Sequence, residues 1–206
     1  MAYMDNDRQY DIGARLPIHR RVLVIAAAAV IPGHAAAQSF TPFETIDLSL
    51  HVQTNYNRNV FHDFWDSQTG MGGDVTFPFY RGAIGIGADF TPEHGRSLAQ
   101  PDFTFRFLYA LWRLESAPIG PIRIRAGGRV GIVHMPFPLG EGAGPETEAA
   151  GALEAGIGVQ VIPRWYVDVT TRYQVVFTRE RIRLAYLAIG LRRRFDSPDW
   201  LRGFLQ

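Results

Sequence analysis

The chain has 206 residues, a formal net charge of +1 and no cysteine. The absence of cysteine excludes disulfide frameworks, thiolate metal sites and cysteine nucleophiles. The balanced charge argues against a nucleic-acid partner, which would usually go with a strong basic excess. No apolar run reaches the roughly 20 residues of a membrane-spanning helix. Together with a mean hydropathy close to zero, these averages describe one ordinary domain large enough to bury a core.

The N-terminal region has the pattern of an export signal. Arg20 and Arg21 precede an apolar run, Val22–Ile31, and three alanines ending at Ala37 follow it. A charged segment, a short apolar segment and a small-residue cleavage site are typical of a secretory signal peptide. The apolar run would rise only about 15 Å as a helix, too little for a membrane core of about 30 Å. We therefore predict that residues 1–37 are an N-terminal extension and signal peptide.

After the predicted cleavage site, eight segments alternate between apolar and polar residues. In the first, Ile46–Tyr56, every second residue from Ile46 to Val52 is apolar, and the intervening residues from Asp47 to Gln53 are polar. A period of two indicates β-strands rather than helices. The apolar faces of the other seven segments lie within Val75–Phe79, Ile84–Phe90, Phe103–Leu111, Ile122–Ile132, Leu153–Val161, Trp165–Phe177 and Ala185–Phe195. Eight strands of about ten residues match the smallest bacterial outer-membrane barrels.

The connections between these segments alternate in length. The long ones are 57–70, 91–101 and 136–148, whereas the short ones are 80–82, 116–121 and 163–164; the last connection, 178–181, is also short. Long loops at one end and short turns at the other are typical of a membrane barrel. The prediction is an all-β protein, an eight-stranded antiparallel up-and-down transmembrane β-barrel over residues 38–195, followed by a periplasmic tail, 196–206.

The polar faces predict a closed, charge-paired lumen. They carry five acids and five bases, namely Asp47, Asp74, Asp89, Glu154, Asp168, Arg106, Arg123, Arg125, Arg129 and Arg172. Buried charges must pair to be tolerated, and side chains fill an eight-stranded interior. In the fourth segment this assignment directs Arg106 into the lumen and the aromatic face, which begins at Phe103, towards lipid. A soluble secreted barrel also alternates, but its water-facing strands would not favour the many glycines found on the polar face.

The alternation over 46–195 resembles that of the small OmpA/OmpX-like outer-membrane barrels. In the last segment, Gly190 and the terminal aromatic Phe195 are similar to part of the C-terminal signal read by the barrel-assembly machinery. The resemblance implies an integral protein of the Gram-negative outer membrane with a structural or surface-interaction role. It also implies partners among outer-membrane lipids, lipopolysaccharide and the barrel-assembly machinery. No cofactor or metal site is expected.

Three other features bear on function. Ser49 and His51 share one strand face and are weak catalytic candidates, because residues two apart on a strand lie about 7 Å from each other. They keep open a lipid A deacylase or acyltransferase, since such enzymes also occur as eight-stranded barrels. Rearranged ion pairs would permit a narrow pore. In the first long loop, Phe61, Phe64 and Trp65 are candidates for contact with an extracellular partner, because aromatic side chains dominate binding hot spots.

Overall fold

The computed structural model describes residues 43–80, 82–98, 100–137 and 144–200, together with residue 203. These residues form nine β-strands: β1 Thr45–Asn55, β2 Trp65–Ser67, β3 Gly70–Phe79, β4 Gly82–Gly95, β5 Phe103–Glu115, β6 Ile122–Met135, β7 Glu146–Ile162, β8 Trp165–Val176 and β9 Ile182–Asp196. A 3₁₀-helix, Val60–Asp63, lies between β1 and β2. Within the described part of the chain, no helix is long and apolar enough to cross a membrane.

Eight of the strands close into a ring. All neighbours are antiparallel, in the order β4-β3-β1-β9-β8-β7-β6-β5, and an additional β4–β5 pairing joins the two ends. The short strand β2 pairs only with the far part of β4, from Glu93 to Gly95. The predicted all-β, up-and-down eight-stranded barrel is therefore confirmed. We call the end that carries the longer connections the outer end, and the end with the turns at Tyr80 and Arg164 the inner end.

The outer wall of the barrel is apolar. Leu50 is 63% exposed and Val130 is 67% exposed, although both lie in the middle of their strands. On β1 the polar residues on the opposite face, such as Asp47 and Ser49, are buried. Apolar side chains thus point out of the barrel and polar side chains point in, an arrangement that suits lipid outside and a packed interior.

Strand β5 reverses the orientation predicted for it. Its aromatic face points into the lumen, with Phe107 and Tyr109 almost fully buried, whereas Arg106 is exposed on the outer wall. The reason lies in the neighbouring strands, because Tyr109 pairs with Gly87 on β4 and with Gly131 on β6. Inward-facing glycines leave room for large side chains from the strand between them. The even-numbered face of β5 is also largely apolar, so alternation alone could not distinguish the two orientations.

The same close approach predicts a steric effect at Gly87. A Cβ atom at Gly87 would lie 2.6 Å from the Tyr109 ring and 2.6 Å from the Gly73 carbonyl oxygen. We expect Gly87→Ala to lower the free energy of unfolding by about 1–3 kcal/mol, measured by urea titration in detergent micelles. The matched control is Gly128→Ala, where the nearest atom would be 3.5 Å away. Equal unfolding midpoints for the two variants would contradict this interpretation.

Some predictions concern residues beyond these strands. The predicted signal peptide and extension, 1–37, lies outside the described residues. Residues 201–202 and 204–206 of the tail also lie outside them, whereas β9 runs to Asp196 and Trp200 is exposed. Both assignments therefore stay predictions.

Candidate functional site

The lumen contains a charged layer and an aromatic layer. The charged layer fills the inner and middle parts, whereas buried apolar side chains occupy the outer part. The second group includes Phe103, Phe105, Phe107, Val133, Met135, Val176, Leu184 and Tyr186. Because both layers are made of inward-facing side chains, they fill the space through which a solute would have to pass.

The first charged cluster is centred on Asp89. His51 Nε2 lies 2.9 Å from Asp89 Oδ1, and Arg129 Nη1 donates to Oδ2 at 3.1 Å. Arg172 donates a further hydrogen bond to the same Oδ2, and the Tyr109 hydroxyl donates to Oδ1 at 3.2 Å. One buried carboxylate is therefore shared by two guanidinium groups, a ring and a phenol, which satisfies the need of a buried charge for partners.

Glu154 extends this cluster towards the other side of the barrel. Its two oxygens accept hydrogen bonds from Arg113 Nε at 2.8 Å and from Arg129 Nε at 2.6 Å. Arg113 Nη2 also lies 3.6 Å from Asp74 Oδ2. Arg129 therefore bridges Glu154 and Asp89, and a single connected set of ion pairs spans strands on opposite sides of the lumen.

The second charged cluster lies nearer the inner end and is centred on Arg192. Its guanidinium contacts Asp47 at 2.8 Å, Glu115 at 2.9 Å and Asp168 at 3.2 Å. Further pairs extend the cluster, from Arg194 to Asp47 at 2.7 Å, from Arg125 to Asp168 at 3.0 Å and from Arg123 to Glu115 at 3.3 Å. Arg192 is 1% exposed at its side chain, so these carboxylates, rather than water, compensate its charge.

A small cavity separates the two clusters. It has a volume of about 30 Å³, and its lining includes Ser49, Asp74, Arg125 and Asp168. This is about the volume that one water molecule occupies. A space of that size is far too small for a sugar or a nutrient solute.

Nine of the ten charged side chains predicted for the lumen face inward, and Arg106 is the exception. The prediction for Arg106 was wrong because it followed from the reversed orientation of β5. Sequence reasoning missed four charged members of the two clusters, Arg113, Glu115, Arg192 and Arg194, and the buried Glu93 at the outer mouth. Arg192 and Arg194 follow the inward-facing Gly190 at steps of two residues and so lie on the same strand face. That spacing was the available signal. Arg113 and Glu115 share the face of β5 that was assigned to lipid.

The structure does not bring Ser49 and His51 together as a nucleophile and its base. The His51 ring bonds Asp89 instead, and Ser49 Oγ forms no hydrogen bond among the described residues. A serine nucleophile needs a base within hydrogen-bonding distance. The geometry of this pair is therefore that of lumen side chains.

The first long loop folds into the outer mouth of the barrel. Phe61, at the 3₁₀-helix, is only 9% exposed. Its ring centroid lies 5.3 Å from that of Trp65 and 5.5 Å from that of Phe105. Trp65 Nε1 donates a hydrogen bond to the Pro101 carbonyl at 3.1 Å. We refer to Phe61 and Trp65 as the aromatic plug, since they close the lumen from its outer end.

The plug corrects the prediction for this loop. Phe61 and Trp65 are not free for an extracellular partner, because they pack on the aromatic layer beneath them. Phe64 alone of the three predicted contact residues is clearly exposed, at 43%. The alternation of strand residues could not reveal this, because the loop's direction depends on the inward aromatic face of β5.

Polar contacts hold the plug in place. Asn59 caps the 3₁₀-helix, and His62 Nδ1 lies 3.3 Å from the Asn59 backbone nitrogen. Ser67 donates to the buried Glu93 at 2.7 Å and lies 3.4 Å from His62 Nε2. Burial lowers the pKa of His62, which keeps the ring neutral at pH 7. Ser67 therefore joins the end of the loop segment to β4, and Asn59 and His62 hold the start of the segment in its helical turn.

An exposed ion-pair cluster lies above this anchor. Asp66 accepts hydrogen bonds from Arg96 at 2.6 Å and from Arg58 at 3.2 Å. The hydrogen bond from Arg96, followed by that from Arg58, holds the pKa of Asp66 below its usual value. Exposed pairs of this kind add little stability each, but they connect the first loop to the connection between β4 and β5.

Comparisons with known proteins agree with the fold. No protein-family model and no curated protein sequence matches the chain. The crystal structure of Neisserial surface protein A matches 76% of this chain and 100% of its own, with a TM-score of 0.59 and 14% identity. The N-terminal β-barrel domain of Pseudomonas aeruginosa OprF matches 75% of this chain and 100% of its own, with a TM-score of 0.52 and 8% identity.

A third match is outer membrane protein H of P. aeruginosa, solved in micelles. It covers 73% of this chain and 99% of its own, with a TM-score of 0.52 and 14% identity. The chain has the fold of the small outer-membrane β-barrels. At this level of identity the likeness concerns the backbone, so the resemblance inferred from the alternating strands is confirmed at the level of fold.

Proposed function

We propose that the chain is an integral outer-membrane protein whose barrel is closed and whose role is structural or surface-interacting. The observation that carries this proposal is the filled lumen, which two ion-pair clusters and the aromatic plug occupy with side chains from all parts of the barrel. The exposed apolar wall supports a lipid environment, since exposed side chains such as Ile86 and Leu153 lie mid-strand. Water around such a wall would be unfavourable.

The surface role falls to the outer loops. Phe64 and Val60 are exposed next to the plug, and Arg58 and Arg96 lie beside them. An exposed aromatic side chain with flanking arginines is a common composition of contact surfaces. We propose that this end contacts an extracellular partner. We further propose that the barrel-assembly machinery inserts the protein and that the apolar wall contacts outer-membrane lipids.

Fractionation and conductance measurements test the proposal together. We expect the full-length protein in the outer-membrane fraction, released only by detergent, and with heat-modifiable migration on gels. Purified protein in planar bilayers is expected to show no sustained open state. Recovery from the periplasm without detergent would favour a soluble carrier instead. Sustained conductance that follows the number of inserted molecules would favour the narrow pore.

The enzyme alternative has its own test. Ser49→Ala and His51→Ala, expressed in a strain lacking the chromosomal copy, are expected to leave the acylation pattern of lipid A identical to that of the complemented strain. The reason is that Ser49 Oγ does not contact the His51 ring, which bonds Asp89. Mass spectrometry of extracted lipid A measures the pattern. If deletion changes the acylation pattern and either alanine variant fails to restore the wild-type pattern, the protein has an acyl-transfer or hydrolytic activity.

A further inference from the structure

Arg106 and His134 form a polar pair on the outer wall of the barrel. They are direct cross-strand partners between β5 and β6. Phe90 on β4 is the other partner of Arg106, and Thr147 on β7 is the other partner of His134. Because directly opposed side chains lie on the same face of a sheet, these four residues form one row, which we call the Arg106 row.

The Arg106 row lies directly above the apolar wall. The next residues towards the inner end on the same face are Ala88, Leu108 and Ile132, and the last two are exposed apolar side chains. Phe90, within the row, is an exposed aromatic. Aromatic side chains gather where the hydrocarbon region meets the headgroups. If the barrel spans the outer membrane as proposed above, the row therefore lies at the level of the outer-leaflet headgroups.

The guanidinium of Arg106 is exposed, and within the described part of the chain it has no partner of opposite charge. No Asp or Glu of the described residues lies within ion-pair distance of it, unlike Arg58, Arg96 and Arg164, which all pair with acids. His134 Nδ1 lies 2.9 Å from Thr147 Oγ1, which fixes the ring and leaves Nε2 for another partner. An exposed guanidinium at the headgroup level is therefore available to an anion from outside the protein.

We propose that the Arg106 row binds a phosphate group of an outer-leaflet lipid, namely the phosphorylated diglucosamine of lipopolysaccharide. The planar guanidinium offers two parallel N–H donors to phosphate oxygens. His134 Nε2 supplies a second contact on the next strand, and Phe90 lies against the first carbons of the acyl chains. The inference rests on the proposed membrane location, and it assigns a ligand site to a residue that alternation had placed in the lumen.

Native mass spectrometry of the full-length protein in zwitterionic nanodiscs tests the site. Bisphosphorylated lipid A is titrated in, and bound lipid is counted. We expect Arg106→Gln to weaken lipid A binding about fivefold. The lipid A affinity of Arg106→Lys is expected to lie between those of Arg106→Gln and the wild type. The matched control is Arg164→Gln, because Arg164 is exposed at the inner end, where it pairs with Asp196. That variant is expected to bind like the wild type.

Two further arms identify the ligand group. Dephosphorylated lipid A is expected to bind the wild type and Arg106→Gln equally weakly, and His134→Phe is expected to reduce binding of the phosphorylated form. Equal binding of phosphorylated lipid A by the wild type and Arg106→Gln, or an equal loss in Arg164→Gln, would overturn the proposal. The nanodisc assay does not depend on cellular location, so fractionation distinguishes failure of the proposed function from failure of this site.

Discussion

Replacement of Arg192 with leucine is expected to lower the free energy of unfolding by about 3–5 kcal/mol, because three inward-facing carboxylates each lose one of their two arginine partners at once. Arg192 contacts Asp47, Glu115 and Asp168 from a position that is almost completely buried. Arg194 still pairs with Asp47, Arg125 with Asp168 and Arg123 with Glu115, but each arginine would then neutralise its carboxylate alone. Urea titration in micelles measures the change, with heat-modifiable gel migration as the readout of the folded fraction.

Two controls separate the loss of this cation from a general effect of leucine. Arg125→Leu removes one ion pair from the same cluster, so we expect a smaller loss than for Arg192→Leu. Arg106→Leu places the same side chain on the outer wall, where the arginine has no carboxylate partner among the described residues, and is expected to leave the midpoint nearly unchanged. Equal unfolding midpoints for Arg192→Leu and Arg106→Leu would contradict the assigned role of the cluster.

Removal of the Phe61 ring is expected to open the outer mouth of the barrel. Truncation of a buried phenylalanine to alanine costs about 3–5 kcal/mol, and Phe61 packs against Trp65, Phe103 and Phe105. The loop can detach while the barrel stays closed, so the cost falls on local opening. We expect amide hydrogen exchange over 60–67 to accelerate by more than about a hundredfold.

The neighbouring Phe64 provides the matched control for this experiment. It lies in the same loop but is largely exposed, so Phe64→Ala is expected to leave exchange over 60–67 close to that of the wild type. Strands β7 and β8 should exchange at wild-type rates in both variants. Wild-type exchange in Phe61→Ala would show that the plug is held by Ser67 and Glu93 rather than by aromatic packing.

Much of the barrel could be predicted from alternation alone, because a strand that separates lipid from a packed lumen must change polarity at every residue. This rule assigned the correct faces to β1 and β3, where Leu48 and Val75 point out and Asp47 and Asp74 point in. It failed for β5, whose two faces are both rich in apolar residues. There the orientation depends on space left by Gly87 and Gly131 on the neighbouring strands.

The candidate site was harder to predict, because strand parity says which side chains enter the lumen but not which of them meet. The pairing of Arg129 with both Asp89 and Glu154 joins residues from three strands. Their contact depends on the stagger of the closed barrel and on the length of the arginine side chain. The same limit applies to the first loop, whose composition predicted exposed aromatics and not a plug.

The sequence by itself determined the eight strands of the barrel, the apolar exterior and the presence of opposite charges inside, because each follows from the alternation of residues along single strands. Only the tertiary structure decided which carboxylate each arginine neutralises, which face of β5 enters the lumen, and that Phe61 closes the mouth. The physical reason is that closure of the sheet brings together side chains from strands distant in sequence. Arg106 illustrates both contributions. The sequence shows its charge, whereas the neighbouring strands of the barrel determine that it lies on the outer wall.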